Sequence, residues 1–141
     1  MKQLLFFSFG LIFLLSCKKD EDKTCNRDVA GISGTHKVTT ARYKATPAAA
    51  EVDYYSILFP DACQRDDVFV LNANGSFAYN DAGIACAPSG SYTGIWSLSG
   101  NTLTVDGDPG NIDVFNCSSL TISFADFITA GDKMIIVFTR Q

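Results

Sequence analysis

At 141 residues, 47% hydrophobic and 18% charged, the chain has the material for one apolar core and is too short for two domains of ordinary size. Fifteen acidic residues against eleven basic ones give a formal net charge of −4 with no basic stripe, which argues against a nucleic-acid partner because a phosphate backbone would be repelled. Five cysteines and a single histidine, His36, at no metal-binding spacing, lead us to expect neither a metal nor another cofactor.

The chain opens on Lys2 and an almost unbroken apolar run from Leu4 to Leu15. A positive start and about a dozen apolar residues fit a secretory leader, and the run is too short to cross a membrane as a helix. Leu14-Leu15-Ser16-Cys17 follows at once and resembles the lipobox of bacterial lipoproteins. The plain alternative is an ordinary leader with a coincidental cysteine, but all four positions fit. That resemblance implies cleavage before Cys17, a diacylglycerol on its thiol and a palmitate-type acyl chain on the new amine. Several acyl chains on one residue anchor stably where one would not. The expected address is the bacterial cell envelope, lipid-anchored, with the outer membrane the leading choice and its face left open. Loss of Lys2 with the leader takes the formal charge from −4 to −5.

Lys18 to Lys23 contains no apolar residue, so it reads as a solvated tether; it also resembles the surface-export signals of some lipoproteins. The expected organisation is 1–16 leader, 17–30 lipidated flexible tether and 31–141 folded domain. Four cysteines remain beyond Cys17: Cys25, Cys63, Cys86 and Cys117. An even number in an exported chain argues for two disulfides, with three connectivities open.

The domain reads as short alternating strands near 35–44, 67–72, 76–81, 92–98, 102–106, 111–116, 119–124 and 133–140. The long connection 45–66 has Thr46-Pro47 as a helix start and Pro60 as a stop, so a helical turn or two is predicted over 48–59. Between the second and third strands, Ala73-Asn74-Gly75 serves as a three-residue loop with Gly75 left-handed, which pairs Leu71 with Phe77 and Phe69 with Tyr79. The two-residue alternative, Asn74-Gly75, buries less apolar area per pair. Gly100-Asn101 is a two-residue loop that aligns Leu98 with Leu103 and Trp96 with Val105. Either register of the first hairpin brings Cys63 and Cys86 to its open end, which leaves Cys25 to pair with Cys117.

Eight hairpin-linked strands with one excursion predict an all-β, up-and-down antiparallel eight-stranded barrel, with a β-sandwich as the alternative. Several short segments are also similar to a known family. Gly34-Thr35-His36-Lys37-Val38 resembles the Gly-x-Trp opening of lipocalins, with His36 in the tryptophan place. Asp66 to Phe69, Leu71 to Phe77, Gly94 to Leu98 and the ending Phe138-Thr139-Arg140 resemble the small lipocalin-like lipoproteins of outer-membrane bacteria. The resemblance covers most of 31–141. It implies a lipocalin-like barrel with a short helical lid segment between the first two barrel strands and, more loosely, carriage of small apolar molecules. In that family the tryptophan packs under an arginine of the last strand. Here Arg140 would meet His36 instead, or Trp96 from elsewhere.

The inward face contains Phe69, Leu71, Phe77, Tyr79, Tyr92, Trp96, Leu98, Leu103 and Val105, and its aromatic members Phe69, Phe77, Tyr79, Tyr92 and Trp96, with Tyr54 of the excursion, are the candidate ligand-binding residues. They either line a cavity, with tyrosine hydroxyls to orient a ligand, or simply fill the barrel. Gly94 leaves a gap that is either cavity or room for Trp96. Tyr54, Tyr55, Leu58 and Phe59 read as a permanent plug or a lid. Asp106 to Asp113 fails the spacing of a calcium loop and reads as turn chemistry. Asp66, Asp67 and Asp81 read as a solvated rim, the alternative being an acid–base cluster. No nucleophile motif accompanies His36, so catalysis is not expected. The expected activity is non-covalent binding of a small apolar or amphipathic molecule. The alternative is a structural or interaction module of the envelope with a filled barrel, its protein partner unidentified.

Overall fold

The computed structural model describes residues 25–141, so the leader, Cys17 and most of the tether lie outside the described residues. A single helical turn, α1 (Val29–Ile32), leads into β1 (Gly34–Lys44). The excursion carries β2 (Val52–Asp53), a second one-turn helix α2 (Tyr55–Leu58) and a 3-10 turn at Ala62–Gln64. Seven strands follow: β3 (Val68–Leu71), β4 (Ser76–Asn80), β5 (Tyr92–Ser99), β6 (Thr102–Val105), β7 (Asp108–Asn116), β8 (Ser119–Ala125) and β9 (Lys133–Arg140). Each of β3 to β9 pairs antiparallel with the next, and β1 pairs with both β3 and β9. The eight strands therefore close into a barrel, which removes the sheet edges that would otherwise invite pairing with other chains. The two-residue β2 is added outside the ring, on the far end of β1.

Both hairpin registers follow from turn chemistry. Gly75 takes φ 84° and donates its N–H to Asn72 O at 3.0 Å, so the three-residue loop forms and Leu71 faces Phe77, with Phe69 facing Tyr79. Gly100, at φ 58°, makes the two-residue loop, and Trp96 faces Val105. A residue in this left-handed region is held at little steric cost only when it lacks a Cβ.

The predicted helical turn forms within 48–59 as α2, but its start and one strand start are corrected. The helix does not begin after Thr46-Pro47. Instead Ala49 N bonds to Thr46 O, the chain folds back to place Val52 opposite Tyr43, and Tyr54 N donates to Ala41 O at 2.9 Å. The end of β1 captures this segment as a strand, so helix begins only at Tyr55 and stops before Pro60. The seventh strand starts at Asp108, not near 111. Asp106 and Gly107, both at positive φ, complete the turn in two residues, so Val105 already faces Asp108. Gly110 can sit in this strand because a side chain there would drive into Ile122 and Phe124.

The registers give the barrel two distinct ends. The closed end holds α1 and the turns at 72–75, 100–101 and 117–118. Ile32 is fully buried there against a cluster that includes Leu71, Trp96, Leu103 and Leu120. The open end holds the excursion and the connections 81–91, 106–107 and 126–132. One disulfide serves each end: Cys25–Cys117 ties the start of the domain to the β7–β8 turn, and Cys63–Cys86 joins the excursion to the β4–β5 connection, each with Cα atoms 5.3 Å apart.

Candidate ligand cavity

Above the closed end the barrel is not filled. A cavity of about 480 Å³ opens toward the excursion and the 126–132 connection. Small-molecule sites run from about 300 to 1,000 Å³ and are mostly apolar with a few polar groups. Its lower part is lined by Leu71, Phe77, Leu103 and Leu120, its wall by Phe69 and Phe138, and its rim by Tyr92, Phe124, Phe127 and Phe59. The apolar side chains face inward because strand residues alternate between faces.

Three of the six candidate residues, Phe69, Phe77 and Tyr92, line this space. The other three do not. Trp96 is buried in the closed-end cluster, where its indole Nε1 donates to Asn72 O at 2.8 Å, so it belongs to the floor beneath the cavity. Tyr79 packs on Phe69 with ring centroids 4.9 Å apart, but its hydroxyl turns away to Asp67. Burial and that bond to Asp67 push the Tyr79 phenol well above its ordinary value. Tyr54 lies against Tyr43, centroids 5.2 Å apart, on the reversed segment of the excursion. Gly94 makes room for neither cavity nor Trp96: a side chain there would collide with the Asp106 carboxylate, which accepts from Ile95 N at 2.9 Å.

The excursion is neither a complete plug nor a swung-out lid. Arg65 donates to Phe59 O and Pro60 O, each at 2.9 Å, and the Phe59 ring reaches the cavity rim while Ile57 stays exposed. The acidic residues of the rim are not merely solvated. Asp67 is 4% exposed and accepts from Ala82 N, Asp66 accepts from Ile84 N, and Asp81 accepts from Cys86 N. These bonds fasten the 81–86 segment beside the Cys63–Cys86 bridge. They satisfy backbone donors that a loop would otherwise leave unpaired. Across the mouth, Asp132 accepts from the backbone N–H groups of Phe127, Ile128 and Thr129 and from the Tyr43 hydroxyl. In β7, Asp113 accepts from Asn111 and Ser123.

The polar groups of the cavity divide between its ends. Asp106, Asp108 and Asp126 stand at the rim, and no lysine or arginine is among the described lining residues. Burial first, then the nearby Asp106 carboxylate, raises the Tyr92 phenol, so its O–H stays available as a donor. At depth the polar residue is His36, 2% exposed, whose Nε2 donates to Ile32 O at 2.8 Å. Arg140 lies directly opposite it in the β1–β9 register and donates to Gly31 O and Ser33 O at 2.5 and 2.7 Å. The guanidinium thus secures α1 across the closed end, beside Gly34, whose φ of 145° is a conformation that L side chains rarely adopt.

Sequence reasoning missed His36, Phe124, Phe127 and Phe138 as lining residues. The alternation along 119–124 and 133–140 offered a signal for Phe124 and Phe138. Phe127 sits in a connection whose conformation depends on Asp132. No curated protein matches the chain. Residues 32–124, from Ile32 at the closed end through most of β8, match the family described as the lipocalin-like domain, and the chain belongs to that family.

Proposed function

We propose that the protein is a lipid-anchored lipoprotein of the bacterial envelope whose barrel binds a small apolar or amphipathic molecule without covalent chemistry. The cavity of about 480 Å³ within an otherwise packed lipocalin-like barrel carries this reading. An eight-stranded barrel is wide enough for one small ligand, and the described side chains of this one leave that space unfilled. The lipobox-like Leu14-Leu15-Ser16-Cys17 supports the anchor.

Displacement of the uncharged dye N-phenyl-1-naphthylamine from the full chain tests the binding. Uncharged apolar molecules small enough for the cavity should compete, and Val105→Trp, which builds bulk into the wall, should weaken dye and competitor together. Failure of the dye and of every competitor to bind the folded protein would overturn the reading in favour of an envelope interaction module. The anchor has its own test. Cys17→Ala should leave the chain uncut and unlipidated in its host, and a mature acylated species of the same mass would refute it.

A further inference from the structure

Resting on the binding reading above, we propose that the cavity is built for an uncharged or cationic apolar molecule whose buried end carries a hydrogen-bond donor, such as a hydroxyl, delivered to His36 Nδ1. A carbonyl oxygen can only accept, so the bond to Ile32 O places the ring proton on Nε2. In the neutral imidazole Nδ1 is then a bare acceptor. That atom is buried and has no hydrogen-bond partner among the described residues, and His36 is one of the residues that line the cavity. Buried polar atoms are rarely left unpaired, because each one costs the desolvation of its lone pair. A ligand donor arriving at depth supplies the missing partner.

Charge narrows the class further. The ring stays neutral, since burial lowers the basicity of His36, and the Arg140 cation adds to that effect. Arg140 donates through Nη2 to the Gly31 and Ser33 carbonyls, its buried Nε has no partner among the described residues, and it is not among the described lining residues, so the cavity wall presents no cation to an anion. At the rim, Asp106, Asp108 and Asp126 would repel a second anion entering the mouth. A carboxylate-ended chain therefore meets an acceptor at the bottom and like charge at the top. A hydroxyl-ended chain meets neither penalty.

Matched twelve-carbon probes test this in the full chain: dodecan-1-ol, its methyl ether, dodecylamine and dodecanoate, each competing against N-phenyl-1-naphthylamine. The alcohol should bind about tenfold more tightly than the ether, the factor that corresponds to 1.4 kcal/mol, and dodecanoate should bind most weakly. His36→Phe should erase the preference for alcohol over ether while the ether still binds. The protein has one histidine, so selective ¹⁵N labelling gives a single imidazole, whose Nδ1 resonance should move upfield with the alcohol and stay in place with the ether. The labelled wild-type protein answers the question even if the variant does not fold. Equal binding of alcohol and ether with an unmoved Nδ1 would overturn the role of His36 and leave the cavity reading standing. Dodecanoate binding as tightly as the alcohol would overturn the charge preference. No binding by any probe would overturn both this inference and the reading beneath it.

Discussion

The two ends of the barrel are held by different physics. At the closed end, Ile32, Trp96, Leu103 and Leu120 are each at most 4% exposed, and burial of apolar surface does most of the stabilising. The arginine and histidine there cap the carbonyls of a one-turn helix. At the open end, carboxylates take the place of apolar packing. Asp66 and Asp67 accept backbone N–H groups of the 81–86 segment, and Asp81 and Asp132 accept those of their own connections. The difference shows how a small barrel can keep a space inside. If the loops were fixed by inward-pointing apolar side chains, those side chains would occupy the cavity. Fastening them by carboxylate-to-backbone bonds leaves the interior free.

The largest expected effects come from the disulfides, one at each end. Replacing Cys25 and Cys117 by serine opens a connection spanning 92 residues, against 23 for Cys63 and Cys86. Restriction of the unfolded chain then predicts losses of about 4.7 and 3.4 kcal/mol respectively. Urea unfolding of the two double variants checks the order. A larger loss from the Cys63–Cys86 pair would mean that the open end is more rigid, and contributes more to global stability, than the comparison allows.

Ile32→Ala should cost about 3 kcal/mol, the transfer of a fully buried side chain plus the void left in a packed floor. Phe127→Ala, at a rim residue 43% exposed, should change unfolding free energy by less than about 1 kcal/mol and act on ligand competition instead. Equal effects in urea unfolding would erase the distinction between floor and rim.

Much of this division was legible in the sequence, for reasons that can be named. Turn residues at Asn72 to Gly75 and at Gly100-Asn101 act locally, so strand registers and the partnering of Cys63 with Cys86 could be read from residue types alone. The excursion could be read only in part, since its helical turn forms but begins at Tyr55. Thr46-Pro47 is a sound local helix start, but the exposed end of β1 at Arg42 and Tyr43 offered hydrogen bonds that the local sequence does not reveal. The same limit applies to the site. Alternation places Phe69, Phe77 and Tyr92 inward correctly, yet inward is not the same as cavity-lining. Trp96 and Phe77 share a face, and the depth at which the floor ends depends on where Ile32 inserts. The carboxylates read as a solvated rim because their partners are loop backbone groups, those of Asp66 and Asp67 distant in sequence and that of Asp81 within its own connection.

The smallest effect is a difference in pH response between the two ends. His36 at the closed end has its folded value below the ordinary 6.5 because burial disfavours the imidazolium, with Arg140 adding to that and the Ile32 carbonyl opposing it. Between that lowered value and 6.5 the unfolded chain binds more protons than the folded one. Its contribution is therefore complete above about pH 6.5 and lost as pH falls through the folded value. Asp132 at the open end behaves as a depressed acid. Burial acts against ionisation, but the donors from Thr129, Tyr43, Ile128 and Phe127 outweigh it and hold the carboxyl below 3.8. Its contribution is present above that value and lost only as pH falls further. His36→Phe should therefore flatten the slope of stability against pH just below 6.5 and leave the acid limb intact. Asp132→Asn should lower stability at neutral pH, and the gap from the parent should close as pH falls through and below 3.8. Thermal unfolding of both variants from pH 8 to pH 2.5 separates the windows. A gap for Asp132→Asn that stays constant down to the lowest pH would show that its carboxylate charge plays no part in holding the 126–132 connection over the mouth.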